Sequence, residues 1–168
     1  KKIRHIWRTA IYNNEVFFGA LDGVIRYANG KKQWIRPKRS FHYMLPTKNS
    51  LWIKDKDEGL MRWDASRETF VAMPGGDYFK TIIAVAMVDL EPHTYWVVTA
   101  SDGIIIYNDS TGVRRKLNTN MPLENLKISN AVRMKNGEII VTTTLQGIYV
   151  MNSEGHIRMH VDNNDARS

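Results

Sequence analysis

Four glycines, Gly23, Gly59, Gly103 and Gly147, stand 36, 44 and 44 residues apart and bring the same neighbours with them. Aligned on them without gaps, Val16, Trp52, Trp96 and Ile140 stand seven residues before, and Phe17, Ile53, Val97 and Val141 six before. Asp22, Glu58, Asp102 and Gln146 precede the glycine directly, and Val24, Leu60, Ile104 and Ile148 follow it. Tyr27, Trp63, Tyr107 and Met151 stand four residues after it. Agreement over that many columns marks a repeated unit, with a period in or near the range of propeller blades.

Each unit reads as a run of strands. Trp96-Val97-Val98-Thr99 is β-branched and aromatic, as a strand requires. An acidic or amide residue followed by Gly then makes a tight turn. A second apolar run follows, Gly103 to Tyr107, and ends in turn clusters such as Asn29-Gly30, Asp64-Ala65-Ser66 and Asn152 to Gly155. More polar third runs come next: Lys31 to Ile35, Glu68 to Ala72, Val113 to Leu117 and His156 to Val161. Upstream of each unit lies one further candidate strand: His5 to Tyr12, Phe41 to Leu45, Thr81 to Val88 and Lys127 to Met134. No amphipathic helical stretch interrupts this. The expected fold is all-β, with four four-stranded antiparallel blades arranged as in a propeller.

The chain can pack such sheets. Its 168 residues amount to about one domain, with 43% apolar and 24% charged residues, too apolar for a disordered chain. No run reaches the ~18 apolar residues of a membrane span, and no signal-peptide core follows Lys1 to His5. Zero cysteines exclude a disulfide scaffold, thiolate metal sites and Cys nucleophiles, and leave the compartment open.

The four units look like the two-component-regulator propeller repeat. That family's pattern is matched by Val16-Phe17-Phe18-Gly19-Ala20 with Gly23-Val24-Ile25-Arg26-Tyr27, and by Leu51-Trp52-Ile53 with Gly59-Leu60-Met61-Arg62-Trp63-Asp64. Met121-Pro122, Asn136-Gly137-Glu138 and Gly147-Ile148-Tyr149 extend the match, which covers residues 5–161. Of the small glycine in the family's aromatic strand only Gly19 remains, with Lys54, Val98 and Thr142 at its counterparts. The resemblance implies the extracytoplasmic sensor part of a hybrid histidine kinase or related regulator of a Bacteroides-like bacterium, placed in the periplasm. It implies detection of complex carbohydrates or their breakdown products. The membrane would be met only through further parts of such a receptor.

One partial propeller domain is expected over residues 1–161, with blades at 5–37, 39–73, 79–118 and 126–161 and a polar tail at 162–168. Propellers of the family usually have about seven blades, so four point to an open arc or fragment of a larger ring. Terminal blades would then expose apolar faces, and self-association through them is expected.

The chemistry-bearing residues do not converge on a catalytic set, and no cofactor or metal is expected. His156 and His160 have helical metal-ligand spacing, but on a strand they stand ~13 Å apart, too far for one zinc. Asp55 to Gly59 lacks the third oxygen ligand before the glycine and the downstream bidentate Glu of a calcium loop. Nothing places a histidine beside Ser101. Gly75-Gly76 reads as a turn that opens no helix and has no following Lys-Ser/Thr to make a phosphate loop. Trp52 and Trp96 read as packing between blades, while Trp34, Trp63 and Tyr78 lie nearer strand ends, where aromatics stack on sugars.

Charge is uneven: residues 1–50 hold 11 basic and 2 acidic side chains, within a net charge of +7. That favours anionic partners. In a propeller the loops between second and third strands share one face with the connections between blades, and loops on rigid scaffolds carry binding residues. The candidate ligand residues there are Arg36, Lys38, Arg39, Lys56, Asp57, Asp77, Tyr78 and Asn120, and guanidinium forks suit carboxylate or sulfate groups. The expected function is a non-catalytic sensor for an oligosaccharide, an anionic one favoured. The alternatives are a protein-interaction scaffold, or a lyase or glycan-processing enzyme with His42 and Glu124 as its acid/base candidates. The strands lack the aromatic-basic face of single-strand nucleic-acid binders, and no nucleic acid is expected.

Overall fold

The computed structural model describes residues 5–20, 22–36 and 41–162. The chain forms two compact units, Lys1–Thr81 and Ile82–Ser168. The first holds two sheets. Strands β1 (Ile6–Tyr12), β2 (Glu15–Ala20), β3 (Gly23–Ala28) and β4 (Lys31–Ile35) make one. Strands β5 (Phe41–Pro46), β6 (Leu51–Asp55), β7 (Gly59–Asp64) and β8 (Thr69–Ala72) make the other. The second unit repeats the plan with β9 (Ala84–Glu91), β10 (Thr94–Thr99), β11 (Ile104–Asn108) and β12 (Arg114–Lys116), then β13 (Ile128–Arg133), β14 (Ile139–Thr143), β15 (Ile148–Met151) and β16 (Ile157–Val161). In every sheet chain neighbours pair antiparallel in order, so the all-β meander expected from the repeat is the observed one.

Two local expectations are corrected. Gly75 does open a helix: with φ at 66° it caps a one-turn 3-10 helix, Gly76–Lys80, that folds onto the second sheet. Phe79 is fully buried and anchors that turn. As a consequence Thr81 caps the helix, and β9 starts at Ala84 and runs on to Glu91.

The alignment without gaps also fails, in the first sheet. There Ala20 pairs with Gly23, leaving two residues in the turn, whereas Asp55 pairs with Gly59 across three. The reason is the residue that starts the turn. In the second sheet Asp55 Oδ1 accepts the N–H groups of Asp57 (2.7 Å) and Glu58 (2.9 Å). Thr99 and Thr143 Oγ1 likewise accept from Asp102 and Gln146, and both donate to the following glycine carbonyl. Ala20 has no side chain that can do this, and the turn closes one residue sooner. Hence Phe17, not Val16, is the structural counterpart of Trp52, Trp96 and Ile140, because each pairs with the residue three after its glycine.

That correction decides which faces pack. Direct cross-strand partners point to one side of a sheet. The row Ala10–Phe17–Arg26–Gln33 therefore shares a side of the first sheet with Val24 and Ile35. This side meets Met44, Ile53, Trp63 and Phe70 of the second sheet in one buried cluster. Phe17 and Phe70 both set ring edges on Trp63, with centroids 5.1 and 5.2 Å away. Arg26 crosses the same junction. Its guanidinium lies 5.3 Å from the Trp63 ring centroid and is held by Glu15 at 2.5 Å and Glu68 at 2.8 Å. Those carboxylates, Glu15 foremost, raise the Arg26 pKa and keep it charged. Within the second unit, Ala131, Val141 and Tyr149 form the buried side of the last sheet, and β13 lies against β9.

Lys54 is the outlier of the core. It is 2% exposed, with its ammonium donating to the Lys80 carbonyl at 2.7 Å. Burial lowers its pKa from 10.5, partly opposed by Asp55. Below the ordinary lysine value the unfolded chain then binds more protons, so stability contributed here rises with pH through that interval. Melting curves of the wild type and Lys54→Met are expected to diverge between pH 7 and the ordinary lysine value of 10.5, the wild type gaining as pH rises. Parallel curves would show that Lys54 is no more penalised folded than unfolded.

Candidate ligand-binding end of the sheets

In an antiparallel meander the turn between the second and third strands and the exit from the fourth lie at the same end. At that end of the second sheet the structure gathers four of the expected ligand residues. The Asp55 cap turns the chain so that Lys56 is exposed and Asp57 half-buried. The 3-10 helix returns against it so closely that a Cβ on Gly59 would stand 2.0 Å from the Gly76 oxygen. That contact fixes the helix, which presents Asp77 and Tyr78 outward, with Tyr78 44% exposed. The Tyr78 ring stands edge-on to the buried Phe79 at 5.2 Å, so its orientation is set from beneath.

Arg36 leaves β4 at the same end of the first sheet, exposed, its guanidinium 6.0 Å from the half-buried Trp34 ring. Lys38 and Arg39 lie outside the described residues. Asn120 belongs to the second unit, and its amide is already engaged. Its Oδ1 accepts from the Ile157 N–H at 2.9 Å and its Nδ2 donates to the Ile157 carbonyl at 3.3 Å, tying down the start of β16. The electrostatics around the helix are mixed: Lys56 and Lys80 stand with Asp57, Glu58 and Asp77.

Trp63, expected near a strand end where a sugar could stack, is instead 5% exposed inside the junction described above. It pairs with Phe70 one position from the end of β7, and its indole turns inward because Phe17 of the adjoining sheet is there to receive it.

The acid/base candidates fare differently. Glu124 is ion-paired with Lys116 at 2.5 Å, and that contact, foremost, lowers its pKa and favours its carboxylate form. The side chain of His42 lies outside the described residues. His156 faces Glu154 at 3.6 Å, while His160 stacks on Tyr149 with ring centroids 4.2 Å apart. Among the described residues no three acidic or histidine groups are placed to hold a metal.

One pair escaped the sequence reading. His93 Nδ1 stands 2.7 Å from Asp109 Oδ1, the carboxylate fully buried and the imidazole 59% exposed. The two lie 16 residues apart, in the turns next to the paired Thr94 and Asn108 at the open end of the β10–β11 hairpin, and the Asp109 N–H also donates to the His93 carbonyl at 3.0 Å. The bond joins the β9–β10 turn to the β11–β12 turn, and His93 sits at φ 62° in doing so.

No protein-family model matches the chain, and no curated protein does. Solved structures match its fold. The extracellular domain of a one-component system protein from B. thetaiotaomicron superposes at TM-score 0.65 and 16% identity, over 96% of this chain and 25% of that one. The extracellular domain of a hybrid two-component system protein from the same organism reaches 0.68 at 12% identity, over 96% and 25%. The WD40 β-propeller domain of Doa1 reaches 0.67 at 11% identity, over 94% and 53%. These sheets are propeller blades. The chain spans about a quarter of the length of the bacterial extracellular domains it resembles.

Proposed function

We propose that this chain supplies blades to the extracytoplasmic sensor propeller of a two-component-type receptor, and that it binds an oligosaccharide without transforming it. The observation that carries the reading is the likeness of 96% of the chain to extracellular domains of such bacterial regulators. Three features of the chain support it. Exposed polar and aromatic groups collect at the loop end of the second blade, on a helix braced by Phe79 and by the approach to Gly59. Rigid presentation of that kind lowers the ordering cost of binding. Arg36 and Lys56 suit an anionic sugar, and Asp57 and Asp77 suit its hydroxyls. Lys116 favours the carboxylate form of Glu124, which is not the form a general acid uses.

The test is thermal unfolding of the chain against neutral, uronate-bearing and sulfated oligosaccharides, with duplex DNA as control. A ligand at about 100 times its Kd adds about 2.7 kcal/mol to the native state. A shift with one glycan class is expected, reduced in a Lys56→Ala/Tyr78→Ala variant whose melting without glycan is unchanged. A shift with DNA alone, or none with any glycan, would overturn the sensor reading for these blades.

A further inference from the structure

We infer that Trp7 and Arg8, set side by side by a bulge in β1, form a subsite for the carboxylate or sulfate group of an anionic sugar. The sugar rests on the oligosaccharide reading above, and the anion on the residues themselves. The first strand of every blade carries the same irregularity at the same place. Ile6 and Arg8 pair with the neighbours Ala20 and Gly19, and Phe41 and Tyr43 with Asp55 and Lys54. Ala84 and Ala86 pair with Thr99 and Val98, and Ile128 and Asn130 with Thr143 and Thr142. One extra residue is thus inserted in each strand: Trp7, His42, Val85 and Ser129. Each bulge lies beside the residue that starts the turn into the third strand, at the end of its sheet that corresponds to the candidate ligand end of the second. A bulge sets two residues against one on the partner strand, and next to a site it re-aims a side chain.

What the bulge displays differs between blades. In the third, Val85 and Ala86 are buried in the core. In the fourth, the Ser129 hydroxyl donates to the Thr142 carbonyl at 3.2 Å and Asn130 Oδ1 accepts the Ala131 N–H at 2.9 Å, so both are engaged locally. In the first, Trp7 is 41% exposed and Arg8 half-buried, and among the described residues the Arg8 guanidinium has no hydrogen bond, ion pair or ring partner. β1 and β5 carry no acid, and Glu15 of β2 is held by Arg26. Burial lowers the Arg8 pKa, with no carboxylate near enough to oppose it. Arg8 stands opposite Gly19, on the side of the first sheet that faces the second, where a Cβ on Gly19 would lie 3.3 Å from the Met44 Cβ. The place is thus bordered by the first two blades of this chain. A half-buried cation without a partner costs the fold free energy that a bound anion offsets. Its planar fork suits carboxylate or sulfate oxygens, and the Trp7 indole beside it offers a flat apolar face to a sugar ring.

Isothermal titration of the intact chain tests this, with an oligogalacturonate, its neutral methyl ester and a sulfated oligosaccharide as probes. The wild type is expected to bind at least one of the two anionic probes, at least about tenfold more tightly than the methyl ester. Arg8→Gln and Trp7→Ala should each weaken that binding at least about tenfold. Arg8→Lys should weaken it less than Arg8→Gln, because it keeps the charge and loses only the fork. Without probe, Arg8→Gln should melt no lower than the wild type, since it removes a half-buried charge that has no partner. A variant that loses its circular dichroism signal is replaced by Arg8→Met or Trp7→Leu. Anion binding that either folded variant leaves intact would overturn the subsite and leave the sensor reading standing. So would a methyl ester bound as tightly as the anionic probes. No binding of any probe would overturn both.

Discussion

Gly147→Ala is expected to destabilise the second unit by at least about 3 kcal/mol, while Gly103→Ala costs about 1–2 kcal/mol. Both glycines hold nearly the same backbone, with φ at 80° and 78°, so the cost of placing a Cβ in the left-handed region is shared. They differ in what the new methyl meets. At Gly147 it would stand 2.1 Å from the Val161 oxygen and 3.0 Å from the Asp162 Cα, both backbone. At Gly103 its nearest neighbour is the Lys116 Cε at 3.5 Å, the far end of a flexible side chain. The clash at Gly147 can be relieved only by moving the end of β16 off the turn. For a unit of this size each kcal/mol corresponds to about 4–8 °C in Tm. Thermal or urea unfolding of the two variants checks the contrast. Equal losses would mean that conformation alone, and not the approach of the outer strand, demands glycine in these turns.

Trp63→Ala is expected to cost about 3–5 kcal/mol, the range for emptying a buried aromatic site. Trp63 is the centre of the junction between the first two blades, touched edge-on by Phe17 and Phe70 and crossed by Arg26. Removing it opens a cavity and takes the ring face from beneath the Arg26 guanidinium, which keeps its partners Glu15 and Glu68. Tyr27 stands at the same position of the first blade and is 50% exposed. At concentrations where the chain is monomeric, Tyr27→Ala should cost less than about 1 kcal/mol. Denaturant unfolding followed by tryptophan fluorescence measures both. A small effect at Trp63 would show that the first two sheets do not depend on each other for stability.

Most of the architecture was legible because it rests on local chemistry. The turn glycines, the Asn, Asp and Gly clusters and the β-branched runs each state their conformation within a few residues, and repetition made them agree. The fourth strand of the first blade, Lys31–Ile35, needed no more than that. The one-residue shift at Ala20 was legible too, had the turn-starting residue been compared: Asp55, Thr99 and Thr143 carry a capping oxygen four residues before the glycine, and the first repeat has Gly19 there. The 3-10 helix was not legible, because Pro74-Gly75-Gly76 is equally a turn and only the seating of Phe79 selects the helix.

The candidate site divides along the same line. Lys56, Asp57, Asp77 and Tyr78 could be placed at one end because strand order dictates which loops share it. Asn120 could not be seen as a clamp on Ile157, 37 residues away, nor Trp63 as a junction residue facing Phe17. Sequence determined the strands, their order, their turns and the all-β class, since backbone preference and the alternation of a pleated strand act over neighbouring residues. Tertiary structure alone decided which side of each sheet is buried and which aromatic is core. Those outcomes depend on which residue of the next sheet arrives opposite, and that is not encoded in either strand by itself.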